Sequence, residues 1–284
     1  MVKIIDKIEE VIDFVWELCQ NDLHASYPRI TSMKELKDDI ERAIIEDNEN
    51  IIAYYHQDEI CGVCIYFWNC DTKYTQTTGF LIGRDYNNVA EEFISHIQNQ
   101  CPGYELLIGV PLTNINAIQF FNNKNIECIE SSIDTRMYNI KINDNQKHEH
   151  VERITESNFQ EYAVFHDKYA ISKGMYYNSL NLKKDINCFR ILVFKQEGKI
   201  HGSIFVKIYK DIAEVFGLFV DNQFNDKKIE SILINDMLLE LYNNFGAIKE
   251  LIYFINDDCH DELHSALNAG FEIVDKYRCY KLTL

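Results

Sequence analysis

Residues 143–150 read NDNQKHEH and contain no apolar side chain. The pattern of apolar positions before this stretch recurs after it. That recurrence constrains the fold more than any other feature, because two segments with one order of elements describe a duplicated unit joined by a linker. In the first half, Ile5, Ile8, Val11, Ile12, Val15 and Leu18 recur at helical spacing and predict a helix over 4–20. A second helix is predicted over 33–45, with Ser32 as its cap. The period then changes to that of strands over 51–56, 60–68 and 74–82. A helix over 89–97, a strand over 105–110, a short helix over 116–123 and a strand over 135–142 complete the set.

After the linker the order returns. A strand is predicted over 151–154, a helix over 159–171, a hairpin over 188–195 and 199–208, and a strand over 212–220. Then follow a long helix over 228–243, a strand over 250–255, a helix over 260–268 and a last strand over 277–284. The two endings, NINAIQFFNNKNIECIESSIDTRMYNI and NDDCHDELHSALNAGFEIVDKYRCYKL, share a polar loop, a short helix and a strand with Tyr near its end.

Composition narrows the setting. With 45 acidic and 28 basic residues the formal charge is −17, so the average surface repels nucleic acid. No run of 18 uncharged apolar residues suggests a membrane span. Acids interrupt the opening MVKIIDKIEEVIDFVWELC, unlike an export leader, so a cytoplasmic location is expected. Cys61 and Cys64 form a C-x-x-C inside an apolar strand, where three-residue spacing points the two thiols to opposite faces. No metal site is therefore expected. Walker, H-E-x-x-H, G-x-S-x-G and dinucleotide motifs are absent.

Two segments carry a family resemblance. AEVFGLFVDNQFNDKKIESILINDMLLEL, 213–241, resembles the strand, acyl-CoA loop and long helix of the GCN5-related N-acetyltransferases. INDDCHDELHSALNAGFEIV, 255–274, resembles their strand end, short helix and Gly-Phe signature, here Gly270 and Phe271. The resemblance implies an α/β fold (an α+β mixed sheet) of two tandem acyl-CoA N-acyltransferase-like domains. The expected boundaries are a degenerate N-terminal domain over 1–142, a linker over 143–150, and a C-terminal domain over 151–284 that is the better acetyl-CoA site. It also implies acetyl-CoA as cosubstrate and transfer of its acetyl group to a small-molecule or peptide amine. A homo-oligomer is left open.

In that reading Asn225, Asp226, Lys227, Lys228, Ile229 and Glu230 form the cofactor loop. A loop entering a helix N-terminus offers free main-chain N–H groups and a favourable dipole to a pyrophosphate. Phe219 and Val220 would pair with the cofactor arm through their main chain, and Asn256 at the next strand end would bond it. Glu214 is the expected base. Tyr280 is the candidate for a second catalytic side chain from the last strand. His201 and His264 are read as structural or surface residues, and Asp257 and Asp258 as solvated loop acids.

Departures from the pattern are specific. The loop lacks all three family glycines, and Asp226 and Glu230 bring negative charge to it. Ala266 stands where many members carry an acidic Tyr; Phe121 is its counterpart in the first half, with Asn125 replacing the Gly. These departures motivate a second reading, a catalytically inactive ligand-binding or protein-interaction module. In the first half, Gly83 and Arg84 lie on a shorter loop, and Asn114 and Asn116 resemble the polar strand end.

Overall fold

The computed structural model describes residues 1–140, 142, 146–173, 175–221, 228–245 and 248–284. Asn225, Asp226 and Lys227 of the expected cofactor loop lie outside the described residues. The chain separates into two compact units, one formed by Met1–Ser132 with Lys276–Leu284 and the other by Ile133–Asp275.

Unit 1 begins with β1 (Val2–Ile4), a short 3-10 turn and α1 (Ile12–Cys19), where a single helix over 4–20 was expected. α2 (Met33–Ile45) follows, capped by Ser32, whose hydroxyl accepts the Glu35 N–H. Then come β2 (Glu49–His56), β3 (Glu59–Asn69), β4 (Tyr74–Ile82), α3 (Tyr86–Gln100), β5 (Glu105–Pro111), α4 (Ile115–Asn123) and β6 (Glu127–Tyr138). The second half of the chain repeats the order with β7 (Val151–Arg153), α5 (Phe159–Ala170), α6 (Ser179–Lys184), β8 (Phe189–Gln196), β9 (Lys199–Ile208), β10 (Ile212–Val220), α7 (Ile229–Phe245), β11 (Glu250–Asn256), α8 (His260–Ala269) and β12 (Glu272–Thr283).

The sheet order in unit 1 is β1-β2-β3-β4-β5-β12, and in unit 2 it is β6-β11-β10-β9-β8-β7. The last strand expected in each half thus contributes to the other unit. β12 runs antiparallel to β5 from Tyr277↔Pro111 to Thr283↔Glu105. Thr135 of β6 donates its hydroxyl to the Tyr253 carbonyl at 2.8 Å, within unit 2. Strand periodicity fixes which face a residue takes, not which neighbour its edge pairs with.

In each unit the strands are covered on two faces, which explains their long apolar runs. In unit 1, Val63 and Ile65 pack with Val15, Leu36 and Ile40 of α1 and α2. Cys64 and Tyr66 pack with Val89, Phe93 and Phe121 of α3 and α4. Cys61 joins that second core as well, against the expectation of opposite faces. A bulge between Tyr54 and Tyr55 in the β2–β3 pairing inserts Cys61 as an extra residue and shifts the alternation. All nine thiols are free. In unit 2, α5 and α6 cover Phe189, Ile191 and Phe205 on one face. α7 and α8 cover Leu192, Val206, Ala213 and Tyr253 on the other.

The units share irregularities as well as order. Pairing of β3 with β4 slips between Ile65 and Tyr66, and pairing of β9 with β10 slips between Val215 and Gly217. Gly62 and Gly202 sit where a Cβ would meet the long helix, at 2.8 Å from Val89 and 2.6 Å from Ile229. Helix and strand approach too closely there for any side chain. Among the described residues, no helix is long and apolar enough to cross a membrane, and no group of three or more His, Cys, Asp or Glu is placed to hold a metal.

Candidate functional site

In unit 2 the parallel pair β10–β11 is in register only from Ile212↔Glu250 to Val215↔Tyr253. The bulge at Val215–Gly217 follows at once, and β10 runs on to Val220 and β11 to Asn256 without a shared register. Bulges bend a strand and end its pairing. The two strands thus part beside Leu218–Val220, which leaves an opening in the pairing ahead of the first turn of α7. A cavity of about 720 Å³ lies on that turn, and its lining includes the cationic Lys147 and Lys228, the carboxylates Glu149 and Asp236, and the polar His148 and Ser231. The His148 N–H anchors the linker end to the buried Asp236 carboxylate at 3.0 Å.

On the α5–α6 face of the same strands lies a polar cluster. Ala213 and Val215 point into the α7–α8 core, so Glu214 between them projects to the opposite face. It stands directly across from Lys207 on β9. The Lys207 ammonium donates to the Tyr177 hydroxyl at 2.6 Å, and Tyr177 in turn donates to Asp185 at 3.2 Å. The rings of Tyr177, Phe189, Tyr209 and Phe216 lie 5.0–5.9 Å from the ammonium. Tyr209 donates to Glu214 at 3.5 Å. Burial raises the Glu214 carboxyl above its usual range, against the Tyr209 bond and the Lys207 charge, while Asp134 adds to the rise. Asp134 itself is held by Arg136 at 2.9 Å, and Arg136 also reaches Glu250 at 2.6 Å.

The floor of the opening differs between units in one compensated exchange. β5 and β11 align by their registers with β4 and β10, which places Ile108 opposite Tyr253 in the repeat. Phe121 on α4 and Ala266 on α8 are likewise counterparts, seven residues after the helix caps Asn114 and Cys259. Unit 1 therefore has a small strand residue with a large helix residue, and unit 2 the reverse. The Tyr253 hydroxyl reaches Glu262 at 2.5 Å. Burial raises the Glu262 carboxyl to about 6, with Tyr253 and Lys173 opposing and Glu230 and Asp258 adding to the rise.

Unit 1 has the same opening and fills it from within. β4 and β5 are in register only from Tyr74↔Glu105 to Gln76↔Leu107. The segment between α1 and α2 enters beyond that point. Ser26 accepts the Phe80 N–H at 2.9 Å, Tyr27 bridges to Gly109, and Asn114 donates to the Ala25 carbonyl at 3.0 Å. A Cβ on Gly109 would lie 2.8 Å from the Tyr27 carbonyl, so glycine is required there. Phe254 holds the matching place in unit 2. Phe80, Phe120, Phe121 and Tyr280 pack the rest of this core with no exposure above 2 %.

Against solved structures, this topology with its two broken parallel pairs matches an acetyltransferase from Sphaerobacter thermophilus with a TM-score of 0.62, at 11 % identity over 99 % of this chain and 95 % of that one. A tandem protein of this superfamily from the clavulanic acid biosynthesis pathway aligns over 100 % of this chain and 98 % of its own, with a TM-score of 0.54 and 10 % identity. A functionally unknown conserved protein from Staphylococcus epidermidis aligns over 90 % and 99 %, with a TM-score of 0.56 and 13 % identity. The fold is that of the GCN5-related N-acetyltransferases. No family model and no curated protein sequence matches the chain.

Within the acetyltransferase fold the expected site residues separate. Glu214, Phe219, Val220, Lys228, Ile229, Glu230 and Asn256 all belong to unit 2. Tyr280 belongs to unit 1, where it pairs with Ile108 and stacks on Phe121 at 4.4 Å. It therefore does not join Glu214 in one unit, because β12 pairs with β5. Phe219 and Ile229 give core side chains, Phe219 stacked on Tyr169 at 5.2 Å and Ile229 fully buried, so only their main chains face the opening's surroundings. Asn256 is exposed and its carbonyl accepts the Cys259 N–H in the turn before α8. The counterpart of the buried cap Asn114 is Cys259, three residues later than expected. Lys207, Tyr177 and Tyr209 escaped the sequence reading, although counting back across the short β9–β10 turn places residue 207 opposite 214.

Proposed function

We propose that unit 2 transfers the acetyl group of acetyl-CoA to an amine, and that unit 1 is a degenerate copy of the same domain. The observation that carries this reading is the open end of the β10–β11 pair ahead of α7, at the place where unit 1 has its own segment Ala25–Tyr27. An extended thioester arm fits such a gap by bonding the main chain of Leu218–Val220. The α7 N-terminus, Lys228 and the cavity beside Lys147 and His148 supply donors and positive charge for the phosphates.

The reaction needs a neutral amine aimed at the thioester carbonyl. Glu214, with its raised basicity, accepts the amine proton. The amine nitrogen bonds the carbonyl carbon, the carbon–sulfur bond breaks, and the thiolate leaves with a proton. The Leu218 N–H matches Phe80 in the repeat and is the donor for the carbonyl oxygen. The Tyr253 hydroxyl, which lies in the α7–α8 core and bonds Glu262, is the proton donor to that thiolate. Y253F should lower kcat while leaving acetyl-CoA affinity intact.

Calorimetric titration with acetyl-CoA tests the reading. Saturable binding at one equivalent per chain is expected, and an absence of heat at millimolar ligand refutes it. The lost loop glycines and Ala266 favour the alternative of a non-catalytic binding module; saturable binding without thiol release over a broad amine panel would select it.

A further inference from the structure

Glu214 and Lys207 carry opposite charges at directly opposed positions of an antiparallel pair, where Cβ atoms lie about 4.5–5.5 Å apart. Half-buried side chains so placed ordinarily join. Here they make no ion pair with each other. Lys207 turns to Tyr177 at 2.6 Å, and Glu214 takes the Tyr209 hydroxyl at 3.5 Å. Each charge is thus held back by its own tyrosine, and among the described residues Lys207 has no carboxylate within 4 Å. The cluster opens to solvent at Tyr209, which is 46 % exposed. Rings of Phe189 and Phe216 wall the other sides. Unit 1 has Phe67 opposite Gln76 at the same positions, with no charge of either sign.

We infer that the acceptor is a zwitterion, an α-amino acid or a related compound whose amine and carboxylate are attached to the same carbon. Its carboxylate pairs with the Lys207 ammonium and its amine meets Glu214. This rests on the acetyl transfer proposed above and names its substrate class. Lys207 is then a specificity-determining residue. It fixes the end of the acceptor that does not react, and so turns the amine toward Glu214. Asp185 steadies the arrangement through the Tyr177 hydroxyl.

The experiment measures binding of the common L-amino acids and of their carboxamides to the full chain by calorimetry, without cofactor. At least one amino acid should bind at least tenfold more tightly than its amide. K207Q should remove that preference while leaving acetyl-CoA affinity unchanged, and K207R should retain part of it. Equal binding of acid and amide, no binding of any amino acid, or a preference that survives K207Q each overturn the inference. Acetyl-CoA titration alongside keeps the two readings apart. Cofactor binding with no acid preference overturns only the acceptor class. An acid preference with no cofactor binding overturns the transferase reading and leaves the zwitterion site standing.

Discussion

Unit 1 and unit 2 solve one structural problem in opposite ways. Each has a parallel strand pair that parts after three or four residues, behind a bulge followed by Gly79 or Gly217. Parted strands leave main-chain donors and acceptors that must be satisfied. Unit 1 satisfies them internally through Ser26, Tyr27 and Asn114, and Gly109 makes room for the incoming chain. Unit 2 places Phe254 where Gly109 stands, and its charged residues Glu214 and Lys207 replace Gln76 and Phe67. Its strand-to-helix segment is longer, running from 221 to 228, against 83–85 in unit 1. Arg84 of that short segment is committed to Glu59 at 2.5 Å. On the proposed reading, unit 1 has turned this gap into packing and unit 2 keeps it for a ligand.

The sharpest way to break this contrast is to exchange the central carboxylate. E214Q should lower turnover about 100-fold, the range of a lost general base, with acetyl-CoA affinity held. Q76L in unit 1 should leave turnover unchanged, and steady-state kinetics on both variants decides. Second, K228E should weaken acetyl-CoA binding at least tenfold by placing negative charge on the α7 N-terminus, a difference of about 1.4 kcal/mol. R84Q should leave that affinity untouched; an equal loss in calorimetry would move the cofactor to unit 1. Third, G109A should cost about 2 kcal/mol in denaturant unfolding, because its Cβ overlaps the Tyr27 carbonyl. No cost would mean that the Ala25–Tyr27 segment is not seated in unit 1.

The smallest effect is a pH dependence in unit 2. Burial makes the folded Glu262 carboxyl keep its proton up to about 6, whereas an ordinary glutamate releases it at 4.5. The folded state therefore gains at low pH, and the gain is lost as pH rises from 4.5 through 6. A shift of that size is worth about 2 kcal/mol in full, and partial exposure reduces it to roughly 1. E262Q should accordingly be the more stable protein above pH 6, with the difference vanishing below pH 4.5. Thermal melts across that range would contradict the account if the two curves ran parallel.

The fold is largely legible in the sequence, for identifiable reasons. Strand period and helical period come from local side-chain placement, so β2–β4, β8–β10, α2 and α5 fall close to where spacing put them. The repeat itself was visible because order survives where identity does not. Glu214 stood out because it lies on the strand before the expected cofactor loop, where the family resemblance implies a base. The misplaced readings were those that needed a partner. Tyr280 looked like a neighbour of Glu214 until β12 was seen to pair with β5. Asn256 was read as the strand-end residue that bonds the cofactor arm, and only the structure shows that Cys259, not Asn256, takes the place of the buried cap Asn114. Cys61 and Cys64 share a core because one inserted residue reverses the alternation.

Local chemistry in the sequence thus settled most of the elements, the faces of strand residues away from bulges, the repeated order and the acidic character of the chain. Tertiary structure alone decided which strand edges meet, which opening is plugged by Ser26 and Tyr27, and that Lys207 turns to Tyr177 instead of Glu214. Periodicity is set within a few residues of chain, whereas edge pairing, close backbone approach and the orientation of a buried charge depend on groups far apart in sequence.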